Sequence, residues 1–305
     1  MAQWRQTAIS VRAAAQRRAR SVRRFKAAVT DKGAYPRTHV AATYWWDDHA
    51  NFGDALTPWL LQGSSIIPIH TPADRAELVV VGSILEMVPE TYAGMIWGSG
   101  LMRDKPRRFD SARVLALRGH LTRGHIGRPD VKVLGDPGLL AADRQAAPAT
   151  RWQLGLVPHV VHRRHPVYLD LARRYPNEVR VVDARAHPSR VLREIASCAA
   201  ILSSSLHGLI VADSYGVPAA WMSLTPGLQG GDFKFHDYES VIHPDHARHV
   251  DVRPGEALSS ILLKLRPAHS DLVATSVVGL NDSLNRVRAA LPRHASPLSA
   301  WRNRP

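Results

Sequence analysis

The chain is punctuated by short apolar runs that each stop at a glycine or a polar cluster, and that pattern leaves few folds open. Glu77-Leu78-Val79-Val80-Val81 ends at Gly82-Ser83, Gly94-Met95-Ile96-Trp97 at Gly98-Ser99-Gly100, Val114-Leu115-Ala116-Leu117 at Arg118-Gly119, and Val131-Lys132-Val133-Leu134 at Gly135-Asp136-Pro137. Such runs are too short for helices and too continuous for half-exposed strands. They read as strands buried on both faces of an open parallel sheet, whose ligands lie along the carboxyl ends of the strands. Ahead of them, His39 to Trp46 is a β-rich run ending in Asp47-Asp48, and Asn51-Phe52-Gly53-Asp54 opens a helix over Ala55 to Gln62.

The small, polar stretch Arg144 to Thr150 interrupts the alternation, which then restarts. Strands are predicted at Trp152 to Val157, Glu178 to Val182, Ala199 to Leu202 and Ala219 to Met222, with helices at Pro166 to Tyr175, Ser189 to Ser197 and Leu209 to Tyr215. The last stretch, Gly255 to Leu291, reads as helices packed across the domains. For 305 residues this implies an α/β fold in three parts: a basic arm over 1–38 and two α/β domains over 39–145 and 146–305.

The formal net charge is +14, but residues 1–32 alone carry +8, so the globular part is only mildly basic. Within residues 1–30, Trp4, Val11, Val22 and Phe25 form a weak helical stripe with arginines around it, the pattern of a helix lying on an anionic membrane or of a solvated arm. No zinc-finger spacing, ribonucleoprotein motif or helix-turn-helix accompanies the charge, so no nucleic-acid partner is expected. Neither a run of about 18 apolar residues nor a secretory signal core is present, and the expectation is a cytoplasmic protein, peripheral at the inner face of the cell membrane. The single cysteine, Cys198, excludes an intramolecular disulfide and reads as a buried small residue.

The sharpest chemical feature is Ser203-Ser204-Ser205-Leu206-His207-Gly208, where a buried strand runs straight into polar residues at a helix start. Exposed N–H groups and the positive end of the helix dipole suit that corner to phosphate or carboxylate, and His207 there can exchange a proton near neutral pH. The other strand ends offer Asn51, Asp54, Ser83, Ser99, Arg118, Asp136 and His159. Arg118 is the most telling of these, because a guanidinium forks onto oxyanions, whereas Asp136 in Gly-Asp-Pro is equally placed to cap a helix. There is no phosphate loop of the Gly-x-x-x-x-Gly-Lys type, no dinucleotide fingerprint and no nucleophile elbow. His159 with His162, and His243 with His246 and His249, match no ligand spacing, so no metal is expected.

Asn51-Phe52-Gly53-Asp54, Trp97-Gly98-Ser99-Gly100, Arg118-Gly119-His120-Leu121-Thr122-Arg123, Gly135-Asp136-Pro137-Gly138-Leu139-Leu140, Val157-Pro158-His159, Ser203 to Ile210 and Phe233-Lys234-Phe235-His236-Asp237-Tyr238 stand in that order. Together they resemble the polysaccharide pyruvyl transferase family, above all its xanthan-type ketal pyruvyl transferases, over about residues 40 to 240. The chain departs from the family pattern at His120, which stands where a proline is usual, and at Ser205, where some members carry arginine.

The resemblance implies two Rossmann-like domains in a GT-B-like arrangement with the reaction in the cleft between them. It implies phosphoenolpyruvate as donor, a saccharide acceptor that is lipid-linked at the inner membrane face, and no cofactor. Under it, Arg118 and Lys234 would hold the donor's anions, with the amides around Ser204 and Ser205 as a neutral cradle and Leu206 beside them in the substrate site. Asn51, Gly53, Ser83, Ser99 and Asp136 would complete the substrate site. His207 would protonate the donor's methylene carbon, and Asp54 or His159 would take the proton of the attacking hydroxyl. A nucleotide-sugar glycosyltransferase of the same architecture and a non-catalytic scaffold for polysaccharide assembly are the alternatives.

Overall fold

The computed structural model describes residues 39–292. The basic arm and its expected membrane contact fall outside them.

Two parallel sheets organise the chain. The first comprises β1 (His39–Tyr44), β2 (Ile66–His70), β3 (Leu78–Val79), β4 (Met95–Trp97) and β5 (Arg113–Ala116), in the order β2-β1-β3-β4-β5. The second comprises β6 (Leu154–Val157), β7 (Val179–Val181), β8 (Ile201–Ser203) and β9 (Ala219–Trp221), in the order β7-β6-β8-β9. All pairings within both sheets are parallel. In each sheet the strand order reverses once, between β1 and β3 in the first and between β6 and β8 in the second. A doubly wound sheet opens a crevice at such a reversal, because the connections on its two sides leave in opposite directions.

Among the described residues, nine α-helices accompany the strands. They are α1 (Phe52–Gln62), α2 (His120–His125), α3 (Ala141–Arg144), α4 (Pro166–Arg174), α5 (Pro188–Ala196), α6 (Leu206–Ser214), α7 (Phe233–Ile242), α8 (Leu258–Leu262) and α9 (Ser270–Ala290). Their starts follow from local chemistry. Asn51 caps α1 by accepting from the Gly53 N–H, and His187 caps α5, with Pro188 occupying the first turn where no N–H is needed. Helix α6 is buried around its whole circumference, every residue from Leu206 to Asp213, and is apolar apart from His207 and Asp213 in that span. A helix of that kind is stable only inside a core.

The strands alternate between two apolar layers, as period-two geometry requires. Leu78, Met95 and Trp97 face a central cluster, whereas Val79 and Ile96 face a second one behind the first sheet. In the second sheet Ile201, Ala219 and Trp221 join the same central cluster, while Leu154, Leu156, Leu202 and Ala220 face a third. The central layer is therefore common to both halves, filled by α1, α5 and α6. The peptide N–H of Phe52 donates across it to the Ala184 carbonyl at 2.7 Å. Helix α9 returns to the first sheet. Trp97 Nε1 donates to Ser283 Oγ at 2.9 Å, and Arg288 Nε to the Ser64 carbonyl at 3.0 Å.

Two strand expectations need correction, and one strand, β2, was not expected. The run Glu77 to Val81 is strand only over Leu78–Val79, because Val81 already turns to donate its N–H to the Thr57 hydroxyl. Val131 to Leu134 contributes a single bridge, Leu134 to Leu117, and Val133 packs instead against Gly279 of α9. β2 carries Pro68 at its centre and lies at the sheet edge, where a missing N–H costs no ladder bond.

Candidate active site

The loops that follow β1, β3, β6 and β8 are those of the two strand-order reversals, and all four meet on one cavity of about 300 Å³. Asn51 and Asp54 come from the first loop, Ser83 from the second, His159 from the third, and Ser205, Leu206 and His207 from the fourth. Lys234, on the first turn of α7, completes the polar wall, and Met87 and Met102 supply an apolar one. Eight residues expected from the sequence are thus brought together.

The remaining five stand behind that wall. Gly53 lies so close under the His207 ring that a Cβ there would collide with the imidazole. Ser99 is fully buried and donates to the Gly82 carbonyl at 2.8 Å, shaping the turn that carries Ser83. Asp136 is fully buried as a cap, accepting from the Gly138 N–H at 2.8 Å, and burial pushes its carboxyl up to about 6. The Ser204 hydroxyl accepts from the His159 N–H at 3.1 Å and bonds to His162 Nδ1 at 3.0 Å. Arg118 has no exposed surface. Its guanidinium donates to Asp237 Oδ2 at 2.8 Å, to the Leu101 carbonyl at 2.5 Å and to Ser83 Oγ at 2.6 Å. It reaches the cavity through Ser83 rather than directly.

Asp237 is the functional partner that sequence reasoning missed. It accepts from Arg118 and from both the N–H and the hydroxyl of Thr122, at 2.6 and 2.7 Å, tying α7 to the Arg118 loop. Its signal was its place three residues after Lys234, which puts both on neighbouring positions of one helix. Trp46, His49 and the loop 227–229 also line the cavity and carried no motif.

His207 is buried, and its Nε2 has no hydrogen-bond partner. Phe52 packs edge-on to it at 6.3 Å. Burial, with the charges of Arg118 and Lys234 behind it, lowers the His207 pKa to about 3. The ring is neutral at pH 7, and an arriving anion would offset the part of that depression due to the neighbouring positive charges. Burial and the neighbouring Arg118 also lower Lys234, to about 8. Burial raises Asp54 to about 7 against the opposing Asn51 hydrogen bond and Lys234 charge. Asn51 Nδ2 donates to Asp54 Oδ2 at 2.8 Å, which orients that carboxyl. Burial and Lys234 lower His159 to about 4, and its Nδ1 accepts from the Val161 N–H at 3.4 Å, leaving Nε2 as the proton-bearing nitrogen of the neutral ring.

At the head of α6 the expected amide cradle moves by two residues. The Ser204 N–H is engaged by the Val157 carbonyl at 3.2 Å and the Ser205 N–H by Ser203 Oγ at 2.9 Å. The N–H groups of Leu206 and His207, first in the helix, are the ones left for an anion. Among the described residues no cluster of three His, Cys, Asp or Glu is arranged to hold a metal, and His162 donates instead to the Pro226 carbonyl at 2.7 Å.

Two facing α/β crevices, an anion-receptive helix start, a lysine, and an imidazole beside a carboxyl with shifted acidities suit the binding of an anion and the exchange of a proton. Comparison with known proteins finds similarity in the same part of the chain. Residues 96–226 match the model of the polysaccharide pyruvyl transferase family. The succinoglycan biosynthesis protein ExoV of Rhizobium meliloti (strain 1021) is 27% identical over 215 residues, which is 65% of this chain and 64% of that protein. The uncharacterized protein L143 of Acanthamoeba polyphaga mimivirus is 34% identical over 117 residues, 35% of this chain and 39% of that protein. The chain therefore spans less than two thirds of the length of either relative, 64% of the first and 39% of the second. No helix among the described residues is long and apolar enough to cross a membrane.

Proposed function

We propose that this protein moves the pyruvyl group of phosphoenolpyruvate onto two hydroxyls of a sugar in a cell-surface or exopolysaccharide, forming a ketal and releasing phosphate. The observation that carries the reading is the His207 imidazole, buried, unpartnered and set at a helix start beside Lys234. The ring is held neutral by burial first and by nearby positive charge second, and a phosphate and a carboxylate that neutralise that charge and face the imidazole favour its protonated form. The acid is then armed only in the donor complex.

The donor's anions are held by Lys234 and the Leu206 and His207 N–H groups, with Arg118 fixing Ser83 from behind. His207 delivers its proton to the methylene carbon, and the adjacent carbon becomes oxocarbenium-like. A sugar hydroxyl adds there and gives its proton to Asp54, whose acidity near neutrality suits it to the task better than His159, whose ring presents a donor. A second hydroxyl displaces phosphate from the same carbon. Of the two hydroxyl protons, one balances the new methyl group and the other leaves on phosphate. The two halves act as GT-B-like lobes around this cleft, and the acceptor is a lipid-linked saccharide that the basic residues 1–30 meet at the cytoplasmic membrane face.

The test is to mix the protein with phosphoenolpyruvate and lipid-linked or free glycans and measure phosphate release and acceptor mass. Thermal shift with phosphoenolpyruvate, UDP and GDP separates the alternatives. Stabilisation by the first alone is expected. Stabilisation by a nucleotide instead overturns the reading in favour of glycosyl transfer, and stabilisation by none, without turnover, favours a scaffold.

A further inference from the structure

A second groove, of about 340 Å³, adjoins the cavity and is not used by that mechanism. Its wall is aromatic: Trp45 and Trp46 from the loop after β1, and Trp59 from α1. Gln62 stands on the same helix, and Arg185 and His187 face them from the segment before α5, so both halves of the molecule form it. Trp46, His49 and Asn51 belong to groove and cavity alike, which makes the two continuous around the residue that orients Asp54.

The aromatic wall is held in place. Trp59 Nε1 donates to Ser189 Oγ at 2.9 Å, fixing the indole plane, and Trp45 is buried edge-on to His70 at 4.7 Å. Fixed indoles beside an amide and an imidazole match a pyranose, which has an apolar C–H face and a rim of hydroxyls. The groove's cation, Arg185, is exposed and already gripped by Asp183 at 2.9 and 3.0 Å. The occupant is therefore a neutral or weakly acidic sugar rather than a second phosphate. A polymeric acceptor whose end sits beside Asp54 also has to leave the cavity, and the groove begins at Asn51.

We propose that this groove binds the acceptor sugar next to the one that is pyruvylated, so that the protein selects a disaccharide or longer glycan over a single sugar. The proposal rests on the pyruvyl-transfer reading for its orientation but not for its chemistry. It is tested on an array of bacterial surface oligosaccharides and their terminal monosaccharides, probed with the wild type, Trp59→Ala, Trp59→Phe and Gln62→Ala. Phosphate release from phosphoenolpyruvate is measured separately.

The expected result is tighter binding of oligosaccharides than of their terminal sugars, a preference that falls about tenfold in Trp59→Ala and is largely kept in Trp59→Phe. Should Trp59→Ala not fold, Gln62→Ala, an exposed change on the same wall, carries the same readout with a smaller loss. Equal binding of long and single sugars, an unchanged preference in the folded variants, or capture of nucleotides alone overturns the proposal. Retained oligosaccharide preference without phosphoenolpyruvate turnover sinks the pyruvyl-transfer reading and upholds the groove.

Discussion

Two buried polar clusters lie on α7 and its neighbours, and they are built on opposite principles. In the first, the Arg248 guanidinium donates to Asp213 at 2.7 and 2.8 Å and to Glu239 at 2.9 Å. Tyr238 donates to Asp213 at 2.9 Å and Trp221 to Glu239 at 2.8 Å. Each charge there meets its opposite with little or no exposure. In the second, Asp54, His159, His207 and Lys234 face a cavity with their acidities displaced and with one imidazole nitrogen unpartnered. Burial is common to both, so burial does not mark the site. Incomplete pairing on a cavity wall does, because an unsatisfied buried group is costly unless a ligand completes it, and His207 combines the two.

The contrast breaks most sharply at His207. His207→Ala should cut phosphate release by roughly 10²–10⁴-fold, the usual worth of a positioned acid, while leaving the fold intact, since no hydrogen bond to Nε2 is lost. A collapsed variant would show that the ring is a packing element. Arg248→Met should do the reverse. It strands the Asp213 and Glu239 carboxylates and should lower stability by about 3–5 kcal/mol in urea unfolding without a selective effect on donor affinity. A variant as stable as the wild type would undo the distinction between the clusters.

Arg118 sits on the border between the two kinds. It is as completely paired as Arg248, yet one of its bonds ends on Ser83 at the cavity. Arg118→Ala should therefore show both signatures: a stability loss of about 3 kcal/mol, from the unpaired Asp237, and a weaker donor affinity in thermal shift with phosphoenolpyruvate. Loss of stability alone would assign it wholly to the scaffold.

This border also separates what the sequence could express from what it could not. The strand ends were legible because parallel strands buried on both faces write themselves as short apolar runs, and Ser203 to Gly208 is such an end. Eight of the thirteen residues named from strand ends and motifs do line the cavity. Arg118, Ser99 and Asp136 show the limit of that logic, since a strand end places a side chain near a crevice without choosing whether it faces the crevice or the layer behind. That choice rests on Asp237, 119 residues away from Arg118 in sequence. The aromatic groove was illegible for a similar reason. Trp45 and Trp46 read as the end of a strand, and Arg185 and His187 join them only once the two halves pack. Nor does order along the chain give packing, for α9 lies beyond the second sheet in sequence and on the first in space.

The smallest expected effect concerns Asp54, and it tests whether the cavity keeps an acidity at neutrality. In the folded protein burial holds this carboxyl at about 7, against 3.8 for the unperturbed group. The folded chain thus retains a proton that the unfolded chain gives up. Its contribution to stability is complete below the lower value and is lost as pH rises through the upper one. Asp54→Asn, which cannot ionise, escapes that loss. Relative to the wild type it should gain about 1–2 kcal/mol between pH 4 and pH 8, less than full burial would give because the side chain is partly open to the cavity. Urea midpoints at the two ends of that range measure the gain. The same substitution should remove the acid limb near pH 7 from the pH profile of phosphate release if the carboxylate is the base. A stability difference that does not change with pH would mean that Asp54 is ionised throughout, and the cavity would then differ from the Arg248 cluster only in its missing partners.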